Sequence, residues 1–443
     1  MSRSNSRSLV HSLRVQTLVT LFLGVLFPIL FRLDFQFVSG QTPLYLTMLF
    51  WTALAAFGGL VLYRRVLAVP GASPGYLILP TFTTSYLVVI LVLFFFRLDY
   101  SRTILALSYF LLVSWMVFTV FVLRPEKKRR FLVVPGGRVE RLKDIGTASW
   151  TYLQSPDAPL SACDGVVVDL RIDLSDSWAR FIADATLAGT PVFHVKEIEE
   201  SLTGQVEIEH LSENNLGSLN PNEAYLELKI IVDWLLAAIS LIVLLPVFLL
   251  VAIAIKLDSP GEVMFRQSRQ GYRQRPFRIF KFRTMMADPS SSTAQQADPS
   301  SSAAQQGGAD GQVQDAEIDR AITRAGDNRI TRVGRFLRRT RLDELPQILN
   351  ILRGEMSWIG PRPEATVLSA WYDAELPFYS YRHIVRPGIT GWAQVNQGHV
   401  ADVGDVHKKL HYDFYYIKNF SFWLDVTIFF MTIKVILSGH GSK

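Results

Sequence analysis

The sequence predicts a multi-pass membrane protein of mixed α and α/β class. The expected parts are a four-helix transmembrane bundle, a small α/β domain, and a mostly helical C-terminal domain anchored by a re-entrant hairpin. Three observations carry this reading. Hydrophobic residues make up 49% of the chain, and its mean hydropathy is positive, which soluble proteins seldom show. The apolar residues gather into runs long enough to cross a hydrocarbon core. Between those runs lies a stretch where short apolar strands alternate with an amphipathic helix. The only cysteine, Cys163, excludes an intrachain disulfide. The net charge of +6 is what Lys and Arg facing anionic lipid produce, and it also suits an anionic substrate. No nucleic-acid motif accompanies it, so nucleic acid is not an expected partner.

The bundle occupies residues 1–128. Its apolar runs are Val15–Phe31, Leu44–Tyr63, Tyr76–Phe96 and Thr103–Leu123. Arg3, Arg7 and Arg14 precede the first, Arg64 and Arg65 follow the second, and "RPEKKRR", Arg124–Arg130, follows the fourth. The other two loops hold only Arg32 with Asp34, and Arg97 and Arg102 with Asp99. Lys and Arg concentrate on the cytoplasmic side, so the N-terminus and everything beyond Arg124 are expected in the cytoplasm of a bacterial inner-membrane protein. The spans contain no carboxylate or histidine, which points to an anchor or assembly bundle rather than an ion path.

Residues 129–222 read as the α/β domain. "FLVVP" and "VVVDL" are expected strands, "SDSWARFIADATLAG" a helix capped by Ser175 or Asp176 and stopped at Gly189, and "PVFHV" a further strand. Strand, helix, strand is the pattern of a Rossmann-like parallel unit. The Gly136–Gly137 pair sits where a nucleotide loop would lie, but the full glycine fingerprint is missing. A regulatory or assembly domain is the plainer reading.

The third domain, 223–443, opens with an uncharged run from Trp234 to Ile255, with Pro246 near its middle. At 1.5 Å per residue this run would reach about 33 Å, enough to cross. Its flanks argue against crossing. Arg266, Arg269, Arg273, Arg275, Arg278 and Lys281 follow it, and Arg124–Arg130 already hold the preceding segment in the cytoplasm. Both flanks obey the positive-inside rule only if the run returns. The expectation is a re-entrant hairpin over 230–256, two half-helices broken at Pro246. Further on, the segment 287–318 contains the repeat "ADPSSSTAQQ", "ADPSSSAAQQ" and reads as a disordered insertion. The aromatic tail with Asp425 and Lys434 reads as lying in the membrane interface rather than crossing it.

The chemistry-bearing feature is an acidic pair among arginines, Asp343 and Glu344 in "RRTRLDELPQ". The bland reading is a capping box, Thr340-x-x-Asp343, with Glu344 as a first-turn residue. The alternative uses the same physics. A carboxylate ringed by arginine stays ionised, an ionised Asp can attack phosphorus, two acidic side chains can hold Mg²⁺ beside substrate phosphates, and arginines neutralise a diphosphate.

Together, "KLDSPG", "KFRTM", "RRTRLDELPQ", "GEMSWIGPRPE", "RPGITGWAQVN" and "YYIKNFSFWLDV" make the chain resemble the bacterial sugar transferases that act on polyprenyl phosphate, the monotopic phosphoglycosyl transferases, over about Glu223–Leu437. The resemblance implies transfer of a sugar-1-phosphate from a UDP-sugar to undecaprenyl phosphate, with release of UMP. It implies Asp343 as nucleophile, Glu344 with Mg²⁺, and Lys281, Arg283, Arg338 and Arg362 as phosphate contacts. It also implies membrane lipid as a partner, a re-entrant hairpin, and, from the larger members, a homodimer. One departure is Leu245-Pro246 where the family usually has Ser-Pro, which removes a hydroxyl at the expected break. The sugar is not specified. A non-catalytic scaffold of a polysaccharide pathway and a hydrolase using the same aspartate are the competing readings.

Overall fold

The computed structural model describes residues 13–33, 42–67, 74–121, 128–157, 159, 163–208, 221–286, 329–397 and 403–438. The expected insertion at 287–318 lies outside the described residues. The chain forms two compact units, Met1–Gly204 and Gln205–Lys443.

In the first unit, α1 (Leu13–Leu21) continues through a π-turn, Phe22–Leu26, into α2 (Phe27–Leu33). Then come α3 (Thr42–Leu67), α4 (Pro74–Phe95) and α5 (Arg102–Phe121). All four expected apolar runs are helical over their described residues, except Phe96, which lies in the turn after α4. Tyr45–Leu67, Leu77–Phe95 and Arg102–Val120 are long and apolar enough to cross a membrane, as is Glu223–Asp258 in the second unit, and Val15–Phe31 is a shorter apolar helix. The π-turn lies at a close crossing with α5. A Cβ on Gly24 would come within 2.6 Å of Leu112, and the Ser108 hydroxyl donates to the Gly24 carbonyl. Small residues let helices approach, and hydroxyls satisfy the irregular backbone.

The α/β part carries four parallel strands in the order β2-β1-β3-β4: β1 (Arg129–Val133), β2 (Ala148–Tyr152), β3 (Gly165–Val168) and β4 (Val192–His194). The sequence reading lacked β2, because "ASWTY" mixes polar and aromatic residues and shows no apolar run. Helix α6 (Asp176–Leu187) follows Ser175 as expected, although the Ser175 hydroxyl makes no cap. His194 is more than a strand residue. Its Nδ1 accepts from the Lys196 amide and caps α7 (Val195–Thr203).

The second unit begins earlier than the expected boundary at 222. The Val206 amide donates to the His411 carbonyl at 3.0 Å, and Val206 and Ile208 are buried, so this short segment belongs with the C-terminal body. Helix α8 runs from Glu223 to Asp258, 36 residues with Pro246 inside. It is one element rather than the two half-helices expected. Proline removes one backbone bond, but residues on both sides of it dock on the same body. Asp233 accepts from the Ser357 hydroxyl at 2.6 Å. Leu241, Leu244 and Phe248 then pack against Phe277, Ile279, Ile348, Ile351 and Met356. Val251 and Ile255 pack against Phe282 and Leu337. Asp258 finally accepts from the Val333 amide at 3.3 Å. The outer face of α8 stays bare, with Leu235, Ile239, Ile242, Leu249, Leu250, Ile253 and Leu257 all exposed.

The body itself starts with an antiparallel hairpin, β5 (Met264–Gln270) with β6 (Pro276–Phe282). It continues with α9 (Arg332–Thr340), a 3₁₀ turn (Leu342–Gln347), α10 (Ile348–Leu352), β7 (Ser357–Ile359) and α11 (Thr366–Glu375). Strand β8 (Gly388–Thr390) pairs in parallel with β7, and α12 (Trp392–Asn396), α13 (Val403–Lys418) and α14 (Phe422–Ser438) complete it. Asp425, expected to keep the tail out of the bilayer by its charge, is buried and paired. It takes Lys229 at 2.7 Å, Tyr225 at 2.6 Å and Tyr416 at 2.9 Å. This polar knot ties α14 to the start of α8.

Candidate active site

The acidic pair lies on the 3₁₀ turn that follows α9. Helix α9 is capped by Thr331, whose hydroxyl accepts from the Gly334 amide at 2.9 Å. It lies hard against the strand end at Thr284, since a Cβ on Gly334 would come within 2.0 Å of the Thr284 carbonyl oxygen. Only glycine permits that approach. The chain reverses at Arg341, which holds a left-handed backbone with φ 60°, a conformation that costs a non-glycine residue energy. The capping box does not form. The Thr340 hydroxyl donates backward, to Phe336 at 2.9 Å and Leu337 at 3.2 Å. Asp343 and Glu344 therefore are not explained as helix caps.

The two acids have different surroundings. Glu344 receives Lys281 from β6 at 3.0 Å and Arg362 from the loop after β7 at 2.7 Å, both on Oε1. Burial pushes its pKa up, but Arg362 and Lys281 outweigh that and hold it well below the usual carboxylate range. In return, Glu344 raises the Arg362 guanidinium, while burial lowers Lys281. Asp343 is also buried, and its Oδ1 has no hydrogen-bond partner among the described residues. Burial first, and the charge of Glu344 next, push its pKa up, against a weaker pull from Lys281, Arg338 and Arg341. The sequence reading placed the stabilised anion on Asp343. The structure places it on Glu344, because the nearest cations bond to that side chain.

Of the six predicted residues, Lys281, Glu344 and Arg362 form a bonded cluster, and Asp343 adjoins it in sequence and in charge. Arg338 turns its Nε to the Thr284 hydroxyl at 2.9 Å. Arg283 does not join. Its Nη groups donate to the Ser259 and Pro260 carbonyls at 2.7 and 2.9 Å, so it braces the "KLDSPG" turn below α8. The expected phosphate role of Arg283 thus meets a guanidinium already committed to main chain.

Several residues escaped the sequence reading. Arg382 donates to the Arg362 carbonyl at 2.8 Å, to Tyr379 at 2.8 Å and to buried Asp413. Arg269 donates to the Pro363 carbonyl at 3.1 Å. Glu364 pairs with Lys409, and although burial pushes it up, Lys409 and Arg382 bring its pKa down to about 2. These groups hold the "GPRPE" loop from behind. Gln347 is buried with an unpartnered Nε2. Only its place four residues after Asp343 could have drawn notice.

The bacterial sugar transferase family model matches residues 224–439. A UDP-N-acetylgalactosamine-undecaprenyl-phosphate N-acetylgalactosaminephosphotransferase from Aeromonas hydrophila is 46% identical over 388 residues, covering 87% of this chain and 85% of that protein. Two UDP-glucose:undecaprenyl-phosphate glucose-1-phosphate transferases are each 39% identical. The one from Xanthomonas campestris pv. campestris matches over 224 residues, 50% of this chain and 41% of that protein. The one from Escherichia coli (strain K12) matches over 205 residues, 45% of this chain and 38% of that protein. The chain belongs to the bacterial sugar transferase family. It is an enzyme, and a transferase.

Proposed function

We propose that the protein transfers a sugar-1-phosphate from a UDP-sugar to undecaprenyl phosphate, through a covalent intermediate on Asp343. The carboxylate of Asp343 attacks the β-phosphorus, the bond from that phosphorus to the bridging oxygen breaks, and UMP leaves. A phosphate oxygen of undecaprenyl phosphate then attacks the same phosphorus and releases the Asp343 carboxylate. The products are UMP and undecaprenyl-diphosphate-sugar. The observation that carries this reading is the contrast within the pair. Asp343 is buried with a free oxygen and a raised pKa, so its anion is poorly stabilised and reactive. Glu344 keeps Arg362 and Lys281 in place for a diphosphate.

The donor set fits Mg²⁺. Asp343 Oδ1 is unbonded, and Glu344 Oε2 has only Arg362 at 3.5 Å. One or two carboxylate oxygens are what Mg²⁺ takes from protein when phosphates and water complete its shell. The bound ion would neutralise diphosphate charge. Similarity to the Aeromonas hydrophila protein over both units supports UDP-N-acetylgalactosamine as the donor. Docking of both ends of α8 on one body supports a helix that does not cross, so that the site faces cytosolic donor and membrane-held acceptor together. UMP release measured with a panel of UDP-sugars and undecaprenyl phosphate tests the proposal, and Asp343→Asn is the control. Release with no sugar, or release that Asp343→Asn leaves intact, would overturn it.

A further inference from the structure

Helix α9 presents a face that the catalytic reading does not use. Arg332, Arg335, Phe336 and Arg339 are exposed, at i, i+3, i+4 and i+7, which is one side of a helix. Phe336 is 60% exposed. Among the described residues none of these three arginines has a carboxylate partner. The opposite side of α9 is packed, with Val333 and Leu337 resting on Val251 and Ile255 of α8. Among the described residues of the unit nothing covers the neighbouring strip of α8 at Leu249, Leu250, Ile253 and Leu257, and Leu257 is 84% exposed.

We propose that this face of α9 docks on anionic phospholipid headgroups, with Phe336 entering the boundary of the acyl chains. The bare strip of α8 demands hydrocarbon, and a bilayer that supplies it lies beside α9. Three guanidiniums without a carboxylate partner among the described residues then sit at headgroup depth, where anionic lipid attracts them, and an aromatic ring between them reaches inward. A bilayer covers the basic face of α9 and the adjoining apolar strip of α8 with one surface, polar at the headgroups and apolar beneath. The inference concerns bulk lipid rather than either substrate, and its first test needs no turnover, so it can fail independently of the proposed reaction.

The test uses the full chain in nanodiscs with Cys163→Ser as background. An environment-sensitive dye is attached through Phe336→Cys or, separately, Arg339→Cys. Lipids brominated near the headgroup should quench either dye at least about twofold more than one attached through Ala374→Cys, an exposed position on α11. The effect should grow with the phosphatidylglycerol fraction. In a second arm, kcat/KM for the lipid acceptor should rise about fivefold or more as phosphatidylglycerol replaces neutral lipid. The combined variant Arg332→Gln, Arg335→Gln, Arg339→Gln should lose that dependence, with the KM for UDP-sugar within about twofold of native. Equal quenching at all positions overturns the proposal, as does a lipid dependence that survives the triple variant. A dye signal that follows the number of chains per disc rather than lipid composition marks a second copy on this face and also overturns it.

Discussion

Asp169 and Asp343 are both buried aspartates, one in each unit, and they differ in how many donors reach them. Asp169, at the end of β3, receives the Arg138 and Arg171 amides, at 3.0 and 3.2 Å. It also receives the Arg171 guanidinium at 2.9 Å, and His194 lies at 3.4 Å. Burial pushes its pKa up, but these donors, Arg171 first, hold it far below the carboxylate range. It joins the ends of β1, β3 and β4, and Gly137 is left no room for a side chain against it. Asp343 has an oxygen with no donor, and its pKa moves the other way. A saturated buried carboxylate holds structure together. An undersupplied one is strained toward reaction, which is a feature of sites rather than of cores.

The comparison can be broken most severely through Asp343. Asp343→Asn should lower UMP release by about 10³-fold or more, with the protein still folded by circular dichroism, since it removes the oxyanion that the proposed reaction uses to attack. Next in size, Glu344→Gln should lower kcat/KM by about 10²-fold, because Arg362 and Lys281 lose the charge that positions them. That loss should appear with UDP-sugar as the varied substrate.

Stability sharpens the contrast further. Asp169→Asn should destabilise the α/β part by about 1–3 kcal/mol, as read by hydrogen exchange of β1 and β3, with little change in UMP release per folded molecule. Asp343→Asn should act in the opposite direction and stabilise the second unit by about 0.5–2 kcal/mol at neutral pH. The pH dependence has opposite signs as well. Asp343 has a raised pKa, so its favourable contribution is present below its unfolded value and is lost as pH rises through the folded one. The stability gained by Asp343→Asn should therefore vanish in acid and grow toward neutrality. Asp169 has a lowered pKa, so its contribution is present above the unfolded value and is lost as pH falls through the folded one. The smallest expected effect is kinetic: the acid limb of UMP release should lie above the usual aspartate range. A limb at or below that range would contradict the raised pKa of Asp343.

Much of this was legible in the residue order. The apolar runs at 15–31, 44–63, 76–96 and 103–123 needed only length and composition, because hydrocarbon thickness sets the number of residues required. The motifs around Asp343 and Arg362 pointed to the family, and the chain belongs to it. Sequence could not show which acid the arginines serve. Lys281, Glu344 and Arg362 come from a strand, a turn and a loop, up to 81 residues apart, and bond through packing.

By itself, then, the sequence determined where apolar faces occur and which chemical groups are available, since hydropathy, period and motif are local properties. Tertiary structure decided three further matters. Arg283 braces the main chain at Ser259 and Pro260, Asp425 is buried in an ion-paired knot, and Pro246 sits within one docked helix. Each depends on a partner supplied by a distant segment, and partners across a fold are set by three-dimensional packing, which no local pattern records.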